Sequence, residues 1–80
     1  MNARVYVTLK SGVLDPQGKA VARSLAGLGY SEVTDVRIGK VMELQLDGAD
    51  PVAAKARLDE MCRRMLANTV IEDYRIEIVG

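Results

Sequence analysis

Apolar and polar residues alternate at the start of the chain: Val5, Val7 and Leu9 take one parity, Arg4, Tyr6, Thr8 and Lys10 the other. Successive strand side chains point to opposite faces, so this stretch predicts a strand with one dry face and one polar face. The period changes after Ser11-Gly12. Val21, Leu25 and Leu28 recur at helical spacing, with Ala20, Ala22 and Ala26 as small packing residues among them. Asp15-Pro16 precedes them as a start signal, Asp accepting from orphan N–H groups and Pro presetting φ at the first helical position. Gly29 offers a left-handed stop. From Val33 to Ile38 the pattern reads as a second strand, with Val36 and Ile38 inward. Gly39-Lys40 reads as a tight turn, and Met42, Leu44 and Leu46 give a third inward face, completing a hairpin.

The start signal recurs at Asp50-Pro51, opening a helix whose Ala54, Leu58, Met61, Cys62, Met65 and Leu66 form one apolar stripe. Asn68 ends it. Val70, Tyr74, Ile76 and Ile78 then face inward, with Asp73, Arg75 and Glu77 opposite. The order is βαββαβ, which predicts an α+β fold of two layers: an antiparallel four-stranded sheet with both helices on one face, as in ferredoxin-like domains. No boundary or low-complexity segment interrupts residues 1–80, so one domain is expected. The uncovered sheet face would carry Arg4, Tyr6, Thr8, Asp35, Arg37, Glu43, Gln45, Asp73, Arg75 and Glu77.

Composition narrows the partners. Hydrophobic residues make up 49% and charged ones 28%, the range of an ordered globular domain. Eleven basic residues balance eleven acidic ones, and no block of like charge supplies the field that collects phosphate backbones or anionic lipid, so nucleic acid and membrane are not expected partners. No apolar stretch reaches signal or transmembrane length, and the cytoplasm is the expected compartment. A domain of this size hides only about 60% of its unfolded surface, which favours self-association.

Catalytic chemistry is hard to place. The chain has no His, the side chain best suited to proton transfer near neutral pH. Cys62 is the only cysteine. It excludes an internal disulfide and a thiol cluster, and it sits on the apolar stripe, where its thiolate is disfavoured. Asp59-Glu60 and Glu72-Asp73 are sequence neighbours whose side chains diverge, so they read as solvated charges rather than acid/base pairs. Gly27-Leu28-Gly29 lies at a helix C-terminus, the wrong dipole end for phosphate, and the two helix N-termini are already occupied by Asp15 and Asp50. Without Phe or Trp, and with only three Tyr, the sheet lacks a base-stacking platform. Ser11 to Leu14 offers neither paired cysteines for a heavy metal nor an Arg for an acylphosphatase-like cradle. No catalytic, cofactor or metal residue is therefore assigned. Gly18, a glycine in a first helical turn, marks a close approach to the backbone. Element ends carry function more often than core strands, so the expected contact residues are Asp15, Gln17, Gly18, Lys19, Arg37, Gly39 and Lys40. Arg4, Tyr6 and Arg75 are added from the open sheet face.

Four phrases are more specific than the topology: Val5-Tyr-Val-Thr-Leu-Lys10, Gly12-Val-Leu-Asp-Pro-Gln-Gly-Lys-Ala-Val21, Asp35-Val-Arg-Ile-Gly-Lys40 and Leu66-Ala-Asn-Thr-Val-Ile-Glu-Asp-Tyr-Arg-Ile76. Together they resemble the PurS family, the small subunit of phosphoribosylformylglycinamidine (FGAM) synthase, over essentially the whole chain. Ser11 and Thr69 stand where that family commonly has Pro.

The resemblance implies a non-catalytic subunit in the fourth step of purine biosynthesis. There, formylglycinamide ribonucleotide, glutamine and ATP give formylglycinamidine ribonucleotide, glutamate, ADP and phosphate. It further implies a PurQ glutaminase partner that releases ammonia, a PurL synthetase partner that activates the amide oxygen with ATP, and self-association into a homodimer or homotetramer. On that reading ATP, Mg and glutamine are used by the partners, and this chain needs no cofactor. The alternative reading from topology is a regulatory module holding a small metabolite at a subunit interface.

Overall fold

The computed structural model describes residues 1–80. Its elements are strand β1 (Asn2–Leu9), helix α1 (Pro16–Gly27), strand β2 (Gly39–Gln45), helix α2 (Pro51–Met61), a π-helical turn (Cys62–Leu66) and strand β3 (Glu72–Ile78). β1 is the central strand, antiparallel to β2 on one side and β3 on the other. Its alternation decides the register: Ala3 lies opposite Leu44 and Ile78, Val5 opposite Met42 and Ile76, and Val7 opposite Lys40 and Tyr74. Ala3, Val5 and Val7 are buried on the inner face, together with Leu58, Cys62 and Ala67 from the α2 region. Both helices start as the Asp-Pro pairs dictate. Asp15 Oδ1 accepts the Gly18 N–H at 2.9 Å, Asp50 Oδ1 accepts the Val52 N–H at 3.0 Å, and Pro occupies the first turn of each helix.

The sheet has three strands rather than the four expected, because Val33 to Ile38 forms none. A hairpin at Gly39-Lys40 would require positive φ in a two-residue turn. Gly39 does not have it. It pairs with Thr8 as the first residue of β2, where a Cβ would come within 2.4 Å of the Val7 carbonyl oxygen. Residues 33–38 and β2 thus follow one another in line and cannot pair with each other.

The expectation of two helices on one sheet face also fails. α2 packs on β3, whereas α1 makes at most a marginal contact with any other element. The molecule measures 48 × 26 × 14 Å with a radius of gyration of 15.9 Å, against roughly 12 Å for a compact chain of this length. α1 and the returning residues therefore form an arm.

Two finer expectations shift at the C-terminal end. Met65 is 82% exposed, because the π turn, closed by the Ala67 N–H on the Cys62 carbonyl at 3.0 Å, widens the helix and moves Met65 off the apolar stripe. Val70 is likewise exposed. Residues 68–71 form a turn in which Asn68 Oδ1 accepts the Val70 N–H, and β3 begins only at Glu72.

Candidate functional site

The residues expected to make contacts fall into two clusters, one at the root of the arm and one on the open sheet face. At the root, the Asp15 carboxylate is 4% exposed and is held from inside the chain. Oδ2 accepts the Ile38 N–H at 2.7 Å while Oδ1 accepts that of Gly18. These N–H groups, Ile38 first and Gly18 next, hold the carboxyl below the usual carboxylate range against the opposing effect of burial, with further help from Arg37. Arg37 reaches back to donate to the carbonyls of Leu9 and Lys10 at 3.4 and 3.0 Å. Gly18 is the close approach expected of it: a Cβ there would lie 2.1 Å from the Val36 carbonyl oxygen. Asp15 and Gly18 thus clamp the arm internally and offer no surface to a partner. Gln17, Lys19, Arg37, Gly39 and Lys40 are exposed around them.

Arg4, Tyr6 and Arg75 come together on the open face with Thr8, Glu43, Asp73 and Glu77, as strand parity predicts. Arg4 is shared between Glu77 at 3.4 Å and Glu43 at 3.8 Å, spanning all three strands. The Arg75 guanidinium lies over the Tyr6 ring, 4.1 Å from its centroid, and Nη1 reaches Glu77 at 3.7 Å. Pairs this exposed contribute about 0–1 kcal/mol each to stability. They lay alternating charge across the three strands. Asp35 and Arg37, expected on this face, leave it because residues 33–38 are not in the sheet. Val41, opposite Tyr6 and 55% exposed, joins it. Its parity with Glu43 and Gln45 was the available signal.

A third polar group ties α2 to β3. The Tyr74 hydroxyl donates to Asp59 Oδ1, and Arg63 Nε donates to Asp59 Oδ2 at 2.9 Å. The Tyr74 bond, followed by Arg63, lowers the Asp59 pKa, and the same bond raises that of Tyr74. Cys62, fully buried beside them, has its thiol pushed up by burial and by the Asp59 charge. Both effects disfavour its thiolate form. No group of three or more acidic or cysteine side chains is placed to hold a metal ion. No helix is long and apolar enough to cross a membrane. The principal surface depressions are open to solvent.

The family model described as PurS, phosphoribosylformylglycinamidine (FGAM) synthase, matches residues 2–80. A subunit PurS of phosphoribosylformylglycinamidine synthase from Synechocystis is 53% identical over 79 residues, covering 99% of this chain and 79% of the relative. This chain belongs to the PurS family. Its fold is correspondingly close to that of solved members. The Bacillus subtilis PurS structure superposes with a TM-score of 0.85 at 52% identity, covering 99% of this chain and 98% of that one. A chain in the structure of PurLQS from Thermotoga maritima gives 0.86 at 26% identity, over 95% and 93% of the two chains.

Proposed function

We infer that this chain is the assembly subunit of FGAM synthase in purine biosynthesis. It joins the PurQ glutaminase to the PurL synthetase so that ammonia released from glutamine reaches the ATP-activated amide without escaping to solvent. The observation that carries the reading is full-length membership of the PurS family, in which one structural relative belongs to PurLQS. The side chains agree with it: no His, a buried thiol held in its neutral form, and a sheet face whose charges are arranged for recognition. All 80 residues act as one cytoplasmic domain that binds no cofactor of its own; ATP, Mg and glutamine are handled by the partner subunits.

The open face around Arg4, Tyr6 and Arg75 is the surface assigned to partner recognition, since its polar pattern is rigidly held by three strands. Light scattering of the chain mixed with PurL and PurQ, in the presence of glutamine and Mg-ADP, tests the assignment. A ternary species is expected, and Arg4→Glu with Arg75→Glu should lose it while keeping the strand content of the parent. Undiminished assembly of that variant would remove this face from the interface.

A further inference from the structure

β3 is an edge strand, and half of its hydrogen-bonding groups face away from the sheet. The ladder fixes which half. Leu9 lies opposite Glu72 and Ala3 opposite Ile78. The bonds flanking these pairs run from the Lys10 N–H to the Ile71 carbonyl at 2.8 Å and from the Val79 N–H to the Asn2 carbonyl at 2.8 Å. Both are therefore non-hydrogen-bonded pairs, and by alternation so are those of Tyr74 and Ile76. The N–H and C=O groups of Tyr74, Ile76 and Ile78 point outward, and none bonds to another part of the chain. The Glu72 N–H shares their direction but is closed off by the Asn68 carbonyl at 2.7 Å. An open edge of this kind is a template for a further strand.

Beside the edge runs a groove of about 520 Å³ between β3 and α2, lined by Val52, Ala56, Ile76 and Ile78, with Lys55 and Asp59 as its charged positions. Val52 is 80% exposed there. Asp59 is already engaged by Tyr74 and Arg63, whereas Lys55 forms no ion pair. The groove thus calls for apolar side chains and one carboxylate. A strand laid along β3 turns alternate side chains into this groove, and the others fall beside Asp73, Arg75 and Glu77 on the open face. The two edge strands of a second copy do not meet that description. On their inner-face parity stand Lys40, Met42 and Leu44 in one, and Glu72, Tyr74, Ile76 and Ile78 in the other. The one carboxylate among them, that of Glu72, is occupied by the Asn68 N–H at 2.7 Å.

We propose that β3 and α2 form a receptor for an extended segment of another protein, which adds to β3 as a fourth strand, lays alternate apolar side chains over Val52 and Ala56, and pairs a carboxylate with Lys55. On the assembly reading above, on which this inference rests, the segment belongs to a partner subunit of the synthase. Main-chain bonds give such a contact its strength, and the groove gives it selectivity. The added strand also enlarges the open face that carries Arg4, Tyr6 and Arg75, so the two recognition surfaces are continuous.

Residue-resolved hydrogen exchange of the full chain, alone and mixed with PurL, PurQ, glutamine and Mg-ADP, tests it. In the chain alone, the amides of Asp73, Arg75 and Glu77 should be protected by β1 while those of Tyr74, Ile76 and Ile78 exchange freely. In the ternary species the outward three should slow by about tenfold, the worth of one hydrogen bond. Ala56→Glu, at an exposed position, should lose that slowing and keep the β1-facing protection of the parent, which separates a blocked groove from a lost fold. Lys55→Glu should weaken assembly several-fold. A ternary species whose outward amides exchange as in the free chain overturns this proposal and leaves the assembly reading standing, whereas failure of any ternary species to form overturns both. Protection of the outward amides that grows with the concentration of the chain alone also overturns it, because the occupant would then be a second copy. So does slowing that survives Ala56→Glu, or undiminished assembly of Lys55→Glu.

Discussion

Gly18 and Gly27 lie in the same helix, yet replacing each by Ala should change stability in opposite directions. Ala is favoured over Gly inside a helix by about 1 kcal/mol. At Gly27 nothing lies within 4 Å of the new methyl group, so Gly27→Ala should realise most of that gain. At Gly18 the methyl would sit 2.1 Å from the Val36 carbonyl oxygen and 2.7 Å from Asp15 Oδ2. Relief requires a backbone shift of roughly 1 Å, and overpacking of this kind costs up to about 3 kcal/mol. After the propensity gain, Gly18→Ala should be destabilising by about 2 kcal/mol, leaving the two variants about 3 kcal/mol apart. The assay is urea unfolding followed by circular dichroism at one fixed protein concentration, with hydrogen exchange of the α1 amides to place the effect in the arm. If both substitutions move stability in the same direction by similar amounts, the seating of Val36 against Gly18 is not what holds the arm.

Leu58 is fully buried at the centre of a six-residue core, so Leu58→Ala should cost about 3–5 kcal/mol. Calorimetry should show a fall of more than 10 °C in Tm, since each kcal/mol is worth roughly 4–8 °C in a domain this small. The Asp15 pKa is lower in the folded chain than in the unfolded one, so its contribution is present above about pH 4 and is lost as pH falls through the depressed value. Denaturation midpoints between pH 7 and pH 2 should accordingly flatten in Asp15→Asn. Tyr74 works in the opposite sense. Its raised pKa gives a contribution present below about pH 10 and lost as pH rises through the folded value, and Tyr74→Phe should remove that alkaline dependence. The Cys62 thiol should resist a disulfide reagent at pH 8 and react fully once urea unfolds the chain.

How far the pattern of residues reached depended on whether the information was local. β1 and α2 were legible because alternation and an Asp-Pro cap are properties of a few adjacent residues, and the inward set Val5, Val7, Leu58 and Cys62 follows from them. Val33 to Ile38 misled because alternation shows that a segment is extended, not that it finds a neighbour to pair with. Gly39 looked like a turn residue, although its lack of a Cβ serves contact with the Val7 carbonyl. The stripe on α1 was visible as a stripe, but a stripe does not say what it packs on, and here Val21 and Leu28 stay exposed with no more than marginal contact to another element. The open-face cluster of Arg4, Tyr6 and Arg75 was legible through parity alone. The closure of Asp15 on Ile38 was not, since it joins residues that only the arm brings together.

Glutamine-dependent formation of FGAM by PurL and PurQ, measured with and without this chain, tests the assembly role most directly when free ammonia is supplied in a parallel reaction. The chain alone should hydrolyse neither glutamine nor ATP. Its addition should restore synthesis from glutamine while leaving synthesis from free ammonia nearly unchanged. Equal rates from glutamine in its presence and absence, or turnover of glutamine or ATP by the chain alone, would contradict the account.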